Sequence, residues 1–190
     1  MSEQKWIQAA KLGDQAAFCH LYGLYKDRLY RYAYYKLGNR EDAEDAVSEC
    51  VLSAWRQIDS LREHKAFPAW LFRILSGCCN ASIRRSITAR EAACEAARNI
   101  QTCAPHGPAK AGAAAGSLMA PAADQPSALR LVLAEALEQL TAQEREIVLM
   151  AVVGGLKSTE IAEITGLRPG SVRSKLSRSL ARMRRYLESE

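Results

Sequence analysis

The feature that most constrains this chain is a break in character across its middle. Residues 1–85 are periodic and rich in aromatics, and residues 128–190 are periodic and turn basic toward the end. Between them lies Ala-Pro-His-Gly-Pro-Ala-Lys-Ala-Gly-Ala-Ala-Ala-Gly (residues 104–116), followed by Pro121 and Pro126. That stretch has too few large apolar side chains to offset the entropy of ordering it, so it reads as a mobile linker. The expected organisation is two small domains, 1–86 and 128–190, joined by residues 87–127. The first part of the join should be helical. Thr88-Ala-Arg-Glu91 has the form of a capping box, and the Ala-rich run after it would carry a helix to about Gln101.

Both periodic zones read as all-α. Sustained period-two alternation and Asn-Gly hairpin signals are missing. Asn39 is placed to cap a helix, with Asp42 three residues on. Val47, Cys50, Val51, Ala54, Trp55 and Ile58 then recur at helical spacing and form one apolar face. Thr141-Ala-Gln-Glu144 is a second capping box, and the apolar helix after it should stop at Gly154-Gly155.

The C-terminal zone has the pattern of a helix-turn-helix. Ser158 can cap a short helix from Thr159 to Thr165, with Ile161, Ala162 and Ile164 facing inward. Gly166 supplies a turn, and Pro169 suits the first position of a second helix. In that helix Val172, Leu176, Leu180, Met183 and Leu187 share one face. The other carries Arg173, Ser174, Lys175, Ser177, Arg178, Arg182, Arg184 and Arg185. From Arg168 to Tyr186 there are seven cations and no acid. Such a helix fits the DNA major groove, its first turns meeting base edges and its cations meeting phosphates. A solvated basic helix in a bundle is the plainer alternative.

The N-terminal zone carries two further clusters. Glu41, Asp42, Glu44, Asp45 and Glu49 crowd the first turns after Asn39. Acids favour a helix N-terminus, which accounts for Glu41 and Asp42, but Glu49 lies beyond that effect. An acidic patch for a basic protein partner is the alternative. Next comes the polar loop Asp59–Lys65, and then Ala66-Phe67-Pro68-Ala69-Trp70-Leu71-Phe72-Arg73-Ile74, opening a helix that ends in Arg84-Arg85. Aromatics beside cations can trap an unstacked base. On size alone, Trp70 and Phe72 should also belong at least partly to the core.

Other classes find little support. The N-terminus lacks a basic start followed by an apolar run, and nothing approaches a membrane span, so a cytoplasmic protein without membrane insertion is expected. The six cysteines form no Cys-x-x-Cys pair, and with His20, His64 and His106 they show no zinc spacing. No metal or other cofactor is expected, and the thiols read as buried or indifferent. No nucleophile–base pattern or Gly-rich phosphate loop suggests an enzyme. The net charge of +5 says little by itself.

Residues 16–85 and 128–187 together resemble the extracytoplasmic-function class of RNA polymerase sigma factors, within the sigma-70 family. AAFCHLYGLYKDRLYRYAYYKLGNREDAEDAVSECVLSAWRQID is similar to their polymerase-binding region. AFPAWLFRI is similar to the start of their minus-ten-reading helix, and the segment from Leu140 to Leu187 to their minus-thirty-five-reading domain. The resemblance implies a three-to-four-helix region 2 bundle and a four-helix region 4. It also implies a protein that binds core RNA polymerase and promoter DNA and is held by an anti-sigma factor. Asp42, Asp45, Glu49 and Trp55 would contact polymerase. Ser60, Arg62, His64, Lys65, Phe67, Trp70, Arg73, Arg84 and Arg85 would serve the minus-ten element, with the loop from Ser60 to Ala66 holding a flipped base. Ser171, Arg173, Ser174, Lys175, Ser177, Arg178 and Arg182 would serve the minus-thirty-five element. The chain departs from the family's common pattern at Leu75-Ser76-Gly77 and Ala81, and has Lys175 where Arg is common, which removes bidentate geometry.

Promoter elements about 17 base pairs apart lie about 58 Å apart at 3.4 Å per pair. A flexible chain of about 40 residues averages about 35 Å end to end, so the linker must be drawn out to serve both. The alternative function is a helix-turn-helix regulator that binds DNA without polymerase, which leaves the acidic helix unexplained.

Overall fold

The structure is a computed structural model that describes residues 3–101 and 128–189. The stretch 102–127, containing most of the expected linker and Cys103, lies outside the described residues. Among the described residues the protein is all-helical, with α1 (Glu3–Lys11), α2 (Gln15–Leu37), α3 (Arg40–Gln57) and α4 (Phe67–Gln101) in the N-terminal half. The C-terminal half holds α5 (Ala128–Glu138), α6 (Ala142–Val152), α7 (Ser158–Thr165) and α8 (Pro169–Ser189).

Local chemistry sets most of the helix ends. Asp14 caps α2 by accepting from Ala17 N at 3.1 Å. At the other end Gly38 takes φ +80°, and its N–H donates to Tyr34 O at 2.8 Å. Asn39 caps α3 as expected, its Oδ1 accepting from Asp42 N at 2.8 Å. The capping box at Thr141 is complete: Thr141 Oγ1 accepts from Glu144 N at 3.3 Å, and Glu144 Oε2 accepts from Thr141 N at 3.1 Å.

In the N-terminal half α2, α3 and α4 pack together, and α1 lies against α2. The buried face of α3 includes Ala43, Ala46, Cys50 and Ala54, small side chains that let its neighbours approach closely. Tyr32, Phe67, Phe72, Leu21, Leu29 and Leu75 fill the space between the helices. Burying each such side chain contributes about 1.5–3 kcal/mol. In the C-terminal half α8 packs on α5, α6 and α7, around Ile147, Met150, Ile161 and Val172.

Two expectations need correction. The helix expected to begin at Thr88 does not; α4 runs unbroken from Phe67 to Gln101, with Thr88 exposed in its interior. After Gly77 the segment has no Gly or Pro to stop it, and its Ala, Arg and Glu are strong helix formers. Ser158 is the first residue of α7 rather than its cap: the preceding Lys157 donates its N–H to Glu160 Oε2 at 2.7 Å. The apolar face of α8 is only partly covered. Val172 and Met183 are buried, but Leu180 and Leu187 are each 41% exposed, beside an open groove lined by Leu133, Leu137, Val148 and Val152.

Candidate nucleic-acid interface

The helix-turn-helix is built around Gly166, whose φ of +71° lets the chain turn sharply from α7. Ile161 and Ala162 of α7 and Val172 of α8 are buried, fixing how the two helices cross. Ser171, Arg173, Ser174, Ser177 and Arg178 are then exposed, and Lys175 is half-buried. Arg168, Gly170, Ser171, Ser174, Lys175 and Arg178 line a shallow depression over the first turns of α8. Free N–H groups at a helix start and three cations around one hollow suit an anion such as a DNA phosphate. In the free protein Ser174 Oγ donates to Gly170 O at 3.0 Å, and Arg178 Nε donates to Ser174 O at 3.3 Å.

Arg182 is turned toward its own domain. Its Nη1 donates to Glu144 Oε2 at 3.2 Å and lies 3.4 Å from Gln139 O, tying α8 to the start of α6. Hydrogen bonds from the Thr141 backbone and side chain, with Arg182 nearby, hold the Glu144 carboxyl below its ordinary range.

In the N-terminal half the polar loop is pinned at both ends. Leu61 and Phe67 are buried, and Lys11 Nζ donates to Leu61 O. Between those anchors Arg62 and Lys65 are exposed and His64 is half-buried. Ser60, just before Leu61, is exposed and donates to Gln57 O at 2.7 Å. Phe67 and Trp70 are not presented to solvent. Phe67 is 1% exposed, packed against Tyr25 and Trp70 with ring centroids 5.6 and 5.8 Å away, and Trp70 is 6% exposed. Neither ring has a free face for a base. Phe72 is fully buried, as size suggested.

Along α4, Arg73, Arg84 and Arg85 are exposed. Arg73 and Arg84 are eleven residues apart, which returns them to one face about 16 Å apart. Gly77 lies between them on that face, exposed, and a Cβ there would meet nothing within 4 Å. Its neighbour Ser76 points inward and is 4% exposed. Arg85 Nη1 pairs with Glu49 Oε1 at 3.0 Å, so two residues given different roles by the sequence meet where α3 and α4 pack. Asp45 is exposed on the same helix as Glu49, Asp42 is half-exposed, and Trp55 is half-buried against Phe18 at 5.1 Å.

Lys11, Arg28, Lys36 and Glu146 escaped the sequence reading. Glu146 shares a helical face with Met150, and Lys36 with Tyr32 and Leu29, all three apolar neighbours being buried. A charge on an otherwise buried face was the available signal. Burial pushes the Cys79 thiol up to about 12 and raises those of Cys50 and Cys78. Among the described residues no cluster of three His, Cys, Asp or Glu could hold a metal ion, and no helix is long and apolar enough to cross a membrane.

An acidic helix, two exposed basic surfaces and a helix-turn-helix, all-helical among the described residues, are the arrangement of a DNA-binding protein. Comparison with known proteins narrows this. Residues 21–87 match Sigma-70 region 2, and residues 130–183 match Sigma-70, region 4. The chain is 27% identical to the ECF RNA polymerase sigma factor SigW of Bacillus subtilis, over 98% of this chain and 97% of that one. It is 27% identical to SigM of Mycobacterium tuberculosis, over 98% and 85%. Among solved structures, the sigma factor RpoE of Bartonella quintana, in complex with the anti-sigma factor NepR, matches with a TM-score of 0.64 and 25% identity, over 90% of this chain and 96% of that one. CnrH, in complex with the cytosolic domain of CnrY, shares the fold with a TM-score of 0.66 at 23% identity, over 99% and 98%. The chain belongs to the sigma-70 family, in its extracytoplasmic-function class.

Proposed function

We propose that this sigma factor acts in the cytoplasm by binding rather than catalysis, with its two halves dividing the work of promoter recognition. The acidic face of α3 (Asp42, Asp45 and Glu49, with Trp55 beside it) docks on core polymerase. Ser60, Arg62, His64 and Lys65 hold the minus-ten element, with Arg73, Arg84 and Arg85 following its phosphates along α4. Phe67 and Trp70 serve that surface by fixing the loop from within. Ser171, Arg173, Ser174, Lys175, Ser177 and Arg178 read the minus-thirty-five element, and Arg182 positions α8 through Glu144. An anti-sigma partner belongs to the same reading, by analogy with the Bartonella relative solved with one.

The observation that carries this reading is the exposed face of α8, which has no acid from Pro169 to Tyr186, on one half and the Arg73–Arg84 row beside an acidic helix on the other. The test is purified protein with core RNA polymerase, scored for co-migration and for run-off transcription across a genomic library. Transcripts that require the protein are the expected result. Duplex binding without polymerase association would establish the regulator instead. Arg173→Ala should weaken minus-thirty-five binding by about 1–3 kcal/mol, roughly five- to 150-fold, as the loss of a base contact. Asp45→Ala should leave that duplex binding unchanged and weaken polymerase association.

A further inference from the structure

Arg28, Tyr32 and Lys36 recur every four residues along α2 and form one stripe about 12 Å long. This stripe meets the C-terminal half. Glu146 Oε1 of α6 accepts from Lys36 Nζ at 2.6 Å, from Ser76 Oγ at 2.5 Å and from Tyr32 OH at 3.4 Å. The Lys36 side chain is 8% exposed and that of Glu146 is 20% exposed. At the C-terminal end of α6, Arg28 Nε donates to the O of the capping residue Val153 at 3.0 Å, and its Nη2 donates to Gly154 O. A cation is favoured at the carbonyl end of a helix. The Arg28 guanidinium also lies over the rings of Tyr25 and Phe72, at 5.5 and 5.9 Å. Gly155, at φ +63°, leaves room for it, since a Cβ there would sit 2.7 Å from Arg28 Nη2.

We propose that Glu146, seated among Lys36, Ser76 and Tyr32, is the catch of a reversible clasp that holds the free protein closed, and that the halves must part before both DNA-reading surfaces can act on one promoter. The clasp rests on the sigma-factor reading for its consequence, not for its existence. A compact body of the size of the described residues, 3–101 and 128–189, is about 40 Å across, short of the roughly 58 Å between the two promoter elements. The chemistry of the contact suits opening. A sequestered ion pair loses in desolvation much of what it gains in attraction, so it fixes geometry without fusing the halves. Once parted, Lys36, Glu146 and Arg28 each regain water. Ser76, one of the positions where this chain departs from its family's common pattern, supplies the hydroxyl that completes the seat.

The experiment compares the full-length wild type, Glu146→Gln, Arg28→Gln and the charge swap K36E/E146K by small-angle X-ray scattering of the free protein. Trp6, Trp55 and Trp70 all lie in the N-terminal half, so their fluorescence checks that this half stays folded, and far-UV circular dichroism checks the whole. E146Q and R28Q should each raise the radius of gyration by several ångströms, and K36E/E146K should restore part of the wild-type value. E146Q should also bind core polymerase and initiate at limiting concentration several-fold better. Folded E146Q and R28Q proteins with wild-type scattering would overturn the clasp, as would a wild type that is already extended. A wild type that supports no transcription with core polymerase would sink the sigma-factor reading alone, since the scattering comparison does not depend on it.

Discussion

The two halves of this protein are held together in different ways. The N-terminal half depends on large rings: Tyr25, Tyr32, Phe67, Trp70 and Phe72 are buried among α1 to α4. Its proposed contact residues are scattered over α3, a loop and a 35-residue helix. The C-terminal half has an aliphatic core of Ile147, Met150, Ile161 and Val172, and its helices are set by the Thr141–Glu144 box and Gly166. Its candidate DNA surface lies within one helix and the turn before it. A surface built from neighbouring residues needs only a small scaffold with well-defined helix ends. A surface gathered from three segments needs a deep core to keep those segments in register.

Truncating that core gives the sharpest test of the contrast. Phe72→Ala should cost about 3–5 kcal/mol, because Phe72 is fully buried and packs edge-on against Tyr32 at 5.6 Å. Chemical denaturation followed by tryptophan fluorescence reports the N-terminal half, and that transition should move most. If fluorescence and circular dichroism still coincide after the change, the halves unfold as one unit and the contrast fails.

Acid tests the link between the halves. Burial pushes the Glu146 carboxyl up, but hydrogen bonds from Lys36 and Ser76, and the charge on Lys36, outweigh it and hold the group below its ordinary range. Tyr32, buried and neutral, and the Cys79 thiol complete its titratable surroundings. A carboxyl depressed in the closed form contributes its full stabilisation above the ordinary carboxylate range. That contribution is lost as pH falls through the depressed value. The scattering radius should therefore grow on acidification before either half unfolds, and E146Q should not show that step.

Smaller changes probe each half separately. Thr141→Ala removes the cap of α6 and should cost about 1 kcal/mol, visible in circular dichroism of the C-terminal half with little change in tryptophan fluorescence. Gly77→Ala should do the reverse. It lies mid-helix and exposed with open space around its Cβ, so alanine there should stabilise the N-terminal half by about 0.5–1 kcal/mol. A destabilised G77A protein would show that the backbone at Gly77 needs its freedom, and would reopen the role of that departure from the family pattern.

Much of the fold was legible residue by residue. Asn39 over Asp42, Thr141 with Glu144, Gly166 before Pro169, and the α3 face from Val47 to Ile58 each depend on atoms a few positions apart. Spacing along the chain specifies such contacts almost completely. The basic face of α8 was equally plain, because a helix turns sequence order directly into surface order. Other features depended on which helix packs against which. Phe67 and Trp70 suit a base-stacking surface or a core, and only the packing of α4 against α2 put them inside. Arg182 reads as one more cation until Glu144 is brought beside it. The length of α4 is not legible at Thr88, because a capping sequence has no force inside a helix that its neighbours already continue. The pairing of Glu146 with Lys36 and Ser76 joins residues 110 and 70 positions apart. No local rule encodes such a contact, because it exists only once two separately formed surfaces meet and exclude water between them.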